Sequence, residues 1–374
     1  MPTSSSTFFI RQLIIQSIYV LLQFAVYRIL RSQFWDTPLW RTIVLAAMVS
    51  INLPWLFTSA YLIIFRRPPQ SYTLLVTIFG WFMLALIYVL YFAIMRAGYA
   101  LWEVIQPASL SATTAASAAL TRRAFLQKAT IGFGAVALLS STRGIWMARG
   151  KPRLEHITLH LPNLPAAFDG LRIVQLSDFH SGPYMSREQM LAIRQMAEEL
   201  KPDLYFLTGD FVDTLPEQMP PFVDAFEKLQ APLGVFAVLG NHDYFAKIET
   251  VEAGLSAARL PWLRNQHHIL EYRGEKLAII GVDDLWASRF AHRGPNIANA
   301  LQGLPEDIFK ICLSHQPNYW HEIKKHRLDV TFCGHTHGGQ IGIVGTQISL
   351  ARLAGPYVAG LYKENGMQLY VNRG

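Results

Sequence analysis

Negative charge is nearly missing from the first part of this chain. Residues 1–150 hold 2 Asp/Glu against 12 Lys/Arg, a balance of +10, whereas residues 151–374 hold 24 against 21, a balance of −3. The pI near 9.4 therefore comes from the first part alone. Basic residues flanking apolar runs are a signature of membrane topology, so the charge is no argument for a nucleic-acid partner, and none is predicted. Charged residues of both signs make up only 16% of the 374, and apolar ones 51%, more apolar than a soluble enzyme usually is. Cysteine is almost absent as well. Two of them, Cys312 and Cys333, cannot make a disulfide framework. Both lie in apolar, strand-like runs, where buried free thiols are expected ahead of a disulfide.

Charge is absent altogether from Thr42–Phe65 and Tyr72–Met95. Each run is long enough to span a bilayer, and the lack of charge disfavours an ion path through them. A shorter run, Gln12–Tyr27, is bounded by Arg11 and Arg28 and reads as a further span. The small-residue stretch "PASLSATTAASAAL" that follows is a flexible linker by composition. Then comes "TRRAFLQK", with Arg122 and Arg123 ahead of the uncharged run Ala129–Thr142. This resembles a twin-arginine export signal, and export machinery is an expected partner. No A-x-A cleavage site follows, so an uncut anchor is expected. The alternative is an ordinary short membrane helix, and both readings place the arginines inside and the next domain outside. The expected organisation is a multi-pass region over 1–105, a linker and anchor over 106–150, and a separate domain over 151–374. The expected location is a bacterial cytoplasmic membrane with that last domain on its extracytoplasmic side, in contact with membrane lipids.

From about Lys151 the pattern changes to short apolar runs, each closed by a polar loop. Leu171–Leu176 leads into "SDFHSG", Leu204–Thr208 into "GDFVD", and Val235–Leu239 into "GNHDYF". Lys276–Ile280 leads into "GVDDLW", Phe309–Leu313 into "SHQPN", and Val330–Cys333 into "GHTHGGQ". Such runs bounded by turn residues predict buried strands. Helical patterns alternate with them: one opened by Ser186 with Gln189 as its capping box and stopped at Pro202, one over Pro221–Leu229, and one over Val251–Ala258 with Thr250 as cap. Alternation of this kind predicts an α/β domain with parallel strand pairs, and in such sheets polar chemistry gathers beyond the carboxyl ends of the strands.

Asp, His or Asn stands at every one of those ends. Asp178 and His180 are one residue apart, as are His335 and His337, and alternate residues of an extended segment face the same way. Asp210, Asn241 and His315 add two oxygens and a nitrogen. Seven mixed donors exceed one ion's needs and suit two divalent cations, with Mn, Fe or Zn favoured over a thiolate metal. Two such ions can clamp the attacking and leaving oxygens of a phosphoryl group and ionise a water held between them near neutral pH.

In order, Asp178-Phe-His180, Gly209-Asp210, Gly240-Asn-His-Asp243, His315 and Gly334-His-Thr-His337 resemble the five blocks of the calcineurin-like metallophosphoesterases, over about Leu171 to Asn372. The likeness implies a four-layer α/β/β/α sandwich, here preceded by an all-α transmembrane region. It implies that Asp178, His180 and His337 hold one metal, that Asp210 bridges, and that Asn241, His315 and His335 hold the second. It makes His242 the proton donor to the leaving oxygen, with Asp243 orienting it. "GHTHGGQI" is similar to the bacterial branch of membrane-associated or exported phosphoesterases. The implied activity is hydrolysis of phosphate esters, phosphodiesters first, by a metal-bridged hydroxide with a His general acid. Lipid-linked or envelope-derived esters are expected from the membrane address. The alternative is a non-catalytic metal-binding scaffold or sensor attached to a membrane bundle, which degenerate ligands would favour; none is degenerate.

The family's Ser/Thr protein phosphatases carry Asp-Arg-Gly after the second block. Here the text is "GDFVDTL", without the phosphate-gripping arginine, which disfavours a phosphoprotein substrate. Asp213 is open between a supporting carboxylate and a plain turn residue. Asp283 and Asp284 read as loop residues, with a pocket role as the alternative, and His267 and His268 as surface residues of a polar connection. The chain stops at "LYVNRG", in mid-strand or just after one, where relatives continue, and Arg373 is expected to begin a substrate loop.

Overall fold

The computed structural model describes residues 5–34, 38–65, 152–290, 294–339, 349–353 and 355–374, with isolated positions between 94 and 143. The chain divides into two compact units, Met1–Lys151 and Pro152–Gly374. In the first unit, α1 covers Ser5–Phe34 and α2 Pro38–Phe65, enclosing the runs Gln12–Tyr27 and Thr42–Phe65. Among the described residues no helix is long and apolar enough to cross a membrane, so the expected transmembrane region is not supported by these helices. The Tyr72–Met95 run, the linker and most of the twin-arginine-like segment lie outside the described residues.

The second unit contains two sheets. One has three parallel strands in the order β1 (Ile173–Leu176), β2 (Leu204–Leu207), β3 (Val235–Ala237). The other has six, in the order β4-β5-β6-β7-β9-β8: β4 (Gln266–Tyr272), β5 (Glu275–Gly281), β6 (Phe309–Leu313), β7 (Val330–Cys333), β8 (Gly360–Glu364) and β9 (Met367–Val371). Its middle strands β5, β6, β7 and β9 run parallel, and β4 and β8 close its edges antiparallel. Parallel neighbours end on the same side, so all the ligand-bearing loops of a sheet leave from one edge.

Strand alternation fixes the layers. In β2, Leu204 and Phe206 join β6 residues Phe309, Ile311 and Leu313 and β7 residues Val330 and Phe332 in one buried core between the sheets. The intervening Tyr205 and Leu207 face a second core that includes Met190, Phe222, Phe226, Val251 and Leu255. Those residues come from α3 (Arg187–Glu199), α4 (Met219–Phe226) and α6 (Ile248–Ala257). On the far side of the large sheet, Ala278, Ile280, Cys312 and Cys333 pack on Ile297, Trp320, Ile323 and Leu328, contributed by α8 (Ile297–Leu301), α9 (Trp320–Ile323) and the turn beyond. Helices, sheet, sheet, helices is the four-layer order. It follows from period-two side-chain alternation on strands buried on both faces. Phe206 meets Phe332 across the sheets at 5.2 Å between ring centroids.

Local chemistry explains most element ends. Ser186 and Gln189 form the expected reciprocal capping box. α4 starts at Met219 rather than Pro221, and α6 at Ile248 rather than Val251. The two strands not foreseen near the edges, β4 and β8, are joined to β5 and β9 by Arg273-Gly274 and Asn365-Gly366. All four residues have positive φ, as tight two-residue hairpins with a right-handed twist require. His267 and His268 are therefore strand residues, not part of a connection. β9 ends at Val371, just after which the chain reaches the ligand loops. Both cysteines are free and buried.

Candidate metal centre

Three small-sheet loops and two large-sheet loops meet here. Asp178 and His180 follow β1, Asp210 follows β2, and Asn241 opens α5 (Asn241–Phe245) after β3. His315 follows β6, and His335 and His337 follow β7. The chain stays unusually strained at these positions. Asp178, His180, Asp210, His335 and His337 all have φ between 46° and 75°, a left-handed conformation that costs a non-glycine residue roughly 1–3 kcal/mol. Five strained residues in one cluster mark a geometry that packing alone does not select. The motif glycines serve close approach. A Cβ on Gly334 would collide with Ser177 Oγ and Asp178 Oδ2, and one on Gly209 would stand 2.6 Å from Gly240 N.

Nitrogen faces nitrogen in this cluster. His180 Nε2 lies 3.0 Å from His337 Nε2, and His335 Nδ1 lies 3.2 Å from His315 Nε2. His315 Nε2 is also 3.2 Å from Asn241 Oδ1 and 3.1 Å from Asp210 Oδ2. His315 donates its other nitrogen's proton, Nδ1–H, to the Thr208 carbonyl at 2.7 Å, which turns Nε2 towards the cluster. Asp178 receives the His335 N–H at 2.9 Å and lies 3.5 Å from His337 Nε2, while His180 Nε2 is 3.5 Å from Asp210 Oδ2. The donor atoms fall into groups within 4.8 Å: Asp178/His180/His337, Asp210/His315/His335, and His180/Asp210/His242. Converging lone pairs on buried groups are what a cation satisfies, and the imidazole, carboxylate and amide set suits a borderline-to-hard divalent ion. All seven expected ligands are brought together.

Electrostatics sorts the imidazoles into two kinds. Burial holds His180 down at about 4, and burial with the nearby His315 does the same to His335, so both rings are neutral at pH 7. Burial would lower His315 and raise Asp210, but each outweighs that for the other: His315 rises well above its ordinary range and Asp210 falls.

His242 stands beside the cluster, its ring centroid 4.5 Å from that of His180. Its backbone N–H is fixed on Asp210 Oδ1 at 2.8 Å. Burial lowers its pKa, but the Asp213 carboxylate and the Asp210 charge prevail and raise it, which favours a protonated donor. The residue that orients the ring differs from expectation. His242 Nδ1 donates to the Asp213 backbone carbonyl, and Asp213 Oδ1 is 3.5 Å away. Asp243 instead accepts backbone N–H groups from Gly240 (2.8 Å), Asp210 (3.1 Å) and Phe211 (2.9 Å). Its carboxylate ties the β2 and β3 loops together and does not reach the His242 ring. Burial and then the Asp210 charge push it up to about 7 against those donors.

Asp283 and Asp284 are buried, not plain loop residues. Asp283 accepts from Tyr244 Oη and from Arg264 Nε at 2.8 Å, anchoring α5. Asp284 accepts from Gln316 Nε2 at 2.9 Å, immediately after His315. The signal was present: "GVDD" stands at a strand's carboxyl end like the other blocks. Thr214 occupies the place of the family arginine.

Comparison with known proteins now bears on this arrangement. The family model of the calcineurin-like phosphoesterases matches residues 171–339. An uncharacterized metallophosphoesterase of Bacillus subtilis, YkuE, is 31% identical over 68% of this chain and 90% of its own. A zebrafish transmembrane protein with a metallophosphoesterase domain is 31% identical over 59% of this chain and 52% of its own. The UDP-2,3-diacylglucosamine pyrophosphatase LpxG of Chlamydia trachomatis is 29% identical over 62% and 86%. The chain thus spans about half the length of the zebrafish relative. It belongs to the calcineurin-like metallophosphoesterases, a family of metal-dependent phosphoester hydrolases.

Proposed function

We propose that this protein is a membrane-anchored hydrolase of phosphate esters, phosphodiesters or pyrophosphates before monoesters, that works with two divalent ions. The observation that carries the reading is the facing of four imidazole nitrogens in two pairs, at 3.0 and 3.2 Å, with Asp210 between the pairs and a protonatable His242 alongside. Asp178, His180 and His337 would hold one ion, and Asn241, His315 and His335 the second, with Asp210 shared. Bound ions would supply Lewis-acid polarisation of the phosphoryl oxygens and a lowered pKa for the attacking water. The chain's own part is different. Asp243 and the left-handed ligand turns hold the donors in place, and His242, kept in one orientation by Asp213, hands a proton to the departing oxygen.

Membrane attachment through 1–105 and an anchor within 106–150, with Pro152–Gly374 extracytoplasmic, is part of the proposal. Its support is the uncharged runs of the sequence and the naming of the zebrafish relative as a transmembrane protein. LpxG's printed substrate is lipid-linked, which supports lipid-linked or envelope phosphoesters as the substrate class here.

The test is hydrolysis of bis-p-nitrophenyl phosphate against p-nitrophenyl phosphate by the chain, with Mn or Zn added or chelated. Metal-dependent turnover favouring the diester, abolished in His335→Ala, is the expected result. Metal binding without turnover of either ester would leave the scaffold reading standing instead.

A further inference from the structure

The wall beside His242 is aromatic. Phe245 lies one turn along α5, its ring edge to face with that of His242 at 5.0 Å between centroids. Phe245 then meets Trp286 at 5.6 Å and Phe290 at 5.5 Å, again edge to face. Trp286 and Phe290 come from the segment after β5, where α7 covers Ala287–Phe290. Phe290 is 44% exposed and Leu285 36%. Large apolar side chains left in water next to a polar site are what a ligand covers.

One cation sits on this wall. The Arg289 guanidinium carbon lies 4.2 Å from the Trp286 ring centroid. Nearby carboxylates are already committed: Asp283 to Tyr244 and Arg264, Asp284 to Gln316, and Glu252 to Arg264. Among the described residues Arg289 pairs with no carboxylate. A guanidinium over an indole face keeps N–H groups free for an anion.

A general acid hands its proton to the departing oxygen, so whatever that oxygen carries lies on the acid's side. We propose that Phe245, Trp286, Phe290 and Arg289 form a leaving-group subsite that takes a nucleotide-like group, with its planar ring on the aromatic wall and its phosphate at Arg289. The inference rests on the hydrolase reading above with His242 as proton donor. It makes pyrophosphate diesters the preferred substrates. In the reaction, a water oxygen bonds to one phosphorus and the bond from that phosphorus to the bridging oxygen breaks. His242 protonates the bridging oxygen, which leaves on a nucleoside monophosphate. The proton displaced from water goes to solvent, from which His242 is recharged.

Two probes isolate the charge. Diadenosine diphosphate releases an anionic AMP, whereas the dinucleoside monophosphate ApA releases neutral adenosine from a similar ring. The wild-type chain is expected to favour diadenosine diphosphate in kcat/KM. Arg289→Ala is expected to lower the ratio of the two kcat/KM values by about tenfold, the size of one lost charged hydrogen bond, and Arg289→Lys to recover part of it. An unchanged ratio overturns the proposal. Binding separates this from failure of the hydrolase reading. Titrated with AMP and with adenosine, the chelated full chain should prefer AMP by about tenfold, and Arg289→Ala should close that gap. Equal affinities, or no binding of either, would overturn the subsite even in an active enzyme. An AMP preference in a chain that hydrolyses nothing would sink the hydrolase reading alone.

Discussion

Asp213 and Asp243 exchange the roles their positions suggest. Asp243, next to His242 in the chain, serves backbone N–H groups, while Asp213, 29 residues away, meets the imidazole. The Asp213 carboxylate raises the His242 pKa, so removing it lowers that pKa and depletes the proton donor sooner as pH rises. Asp213→Asn should therefore move the alkaline limb of the kcat–pH profile to lower pH, with the metal content unchanged. His242→Asn should slow turnover by about 10²–10⁴, the usual worth of a general acid. The loss should be larger for phenyl than for p-nitrophenyl esters, because a poor leaving group needs the proton more. Equal losses on both would argue against the donor role.

Asp284 supplies a stability prediction at the same scale. Burial pushes its pKa up to about 6, above the ordinary carboxylate value of about 3.9. A raised pKa means the folded state holds the proton more tightly. That contribution is complete below about pH 4 and is lost as pH rises through about 6. In the chelated protein, Asp284→Asn should accordingly be more stable than wild type at pH 8 by up to about 3 kcal/mol, and the gap should close by pH 4. Denaturant unfolding at the two pH values measures it. A variant less stable at pH 8 would show that the Gln316 contact outweighs the cost of the buried charge.

Among elements, the strand-to-loop switches matter most. Gly334 ends β7 against Ser177 and Asp178, where no side chain fits. Gly334→Ala should keep the fold, since the collision is confined to one loop, but should displace His335 and lower metal affinity by about 10–100-fold, the range found when a ligand's supporting contacts are changed. Metal titration followed by calorimetry decides it. Legibility also divides by element. Six strands, β1 to β3 and β5 to β7, could be read because each is a short apolar run closed by a polar loop, and the candidate ligands because they sit at those closures. β4 and β8 are edge strands whose mixed polarity hides them: "QHHILEY" exposes Gln266, His268, Ile269 and Glu271 with no clean alternation, and only its hairpin turn marks it. The roles of Asp213, Asp243, Asp283 and Asp284 were not legible for a different reason. Which donors a buried carboxylate meets depends on loops from other strands, and no local spacing records that.

For the whole domain, the ligand set couples parts of the chain far apart. Asp178 accepts the His335 N–H from 157 residues away, and the two belong to different sheets. Chelation should therefore lower thermal stability of the folded domain as a unit. A bound ion at about 1,000 times its Kd contributes roughly 4 kcal/mol. A metal-independent melting temperature would speak against a preformed site.

The left-handed turns and the cross-sheet ligands together imply something about time. The two sheets cannot separate without first releasing whatever Asp178, Asp210, His315, His335 and His337 jointly hold. An ion there would act as a rivet through the seam, and the domain's lifetime would be set by how fast that rivet is lost. Unfolding in denaturant should then follow the rate of metal release, slow with ions present and fast once a chelator is added.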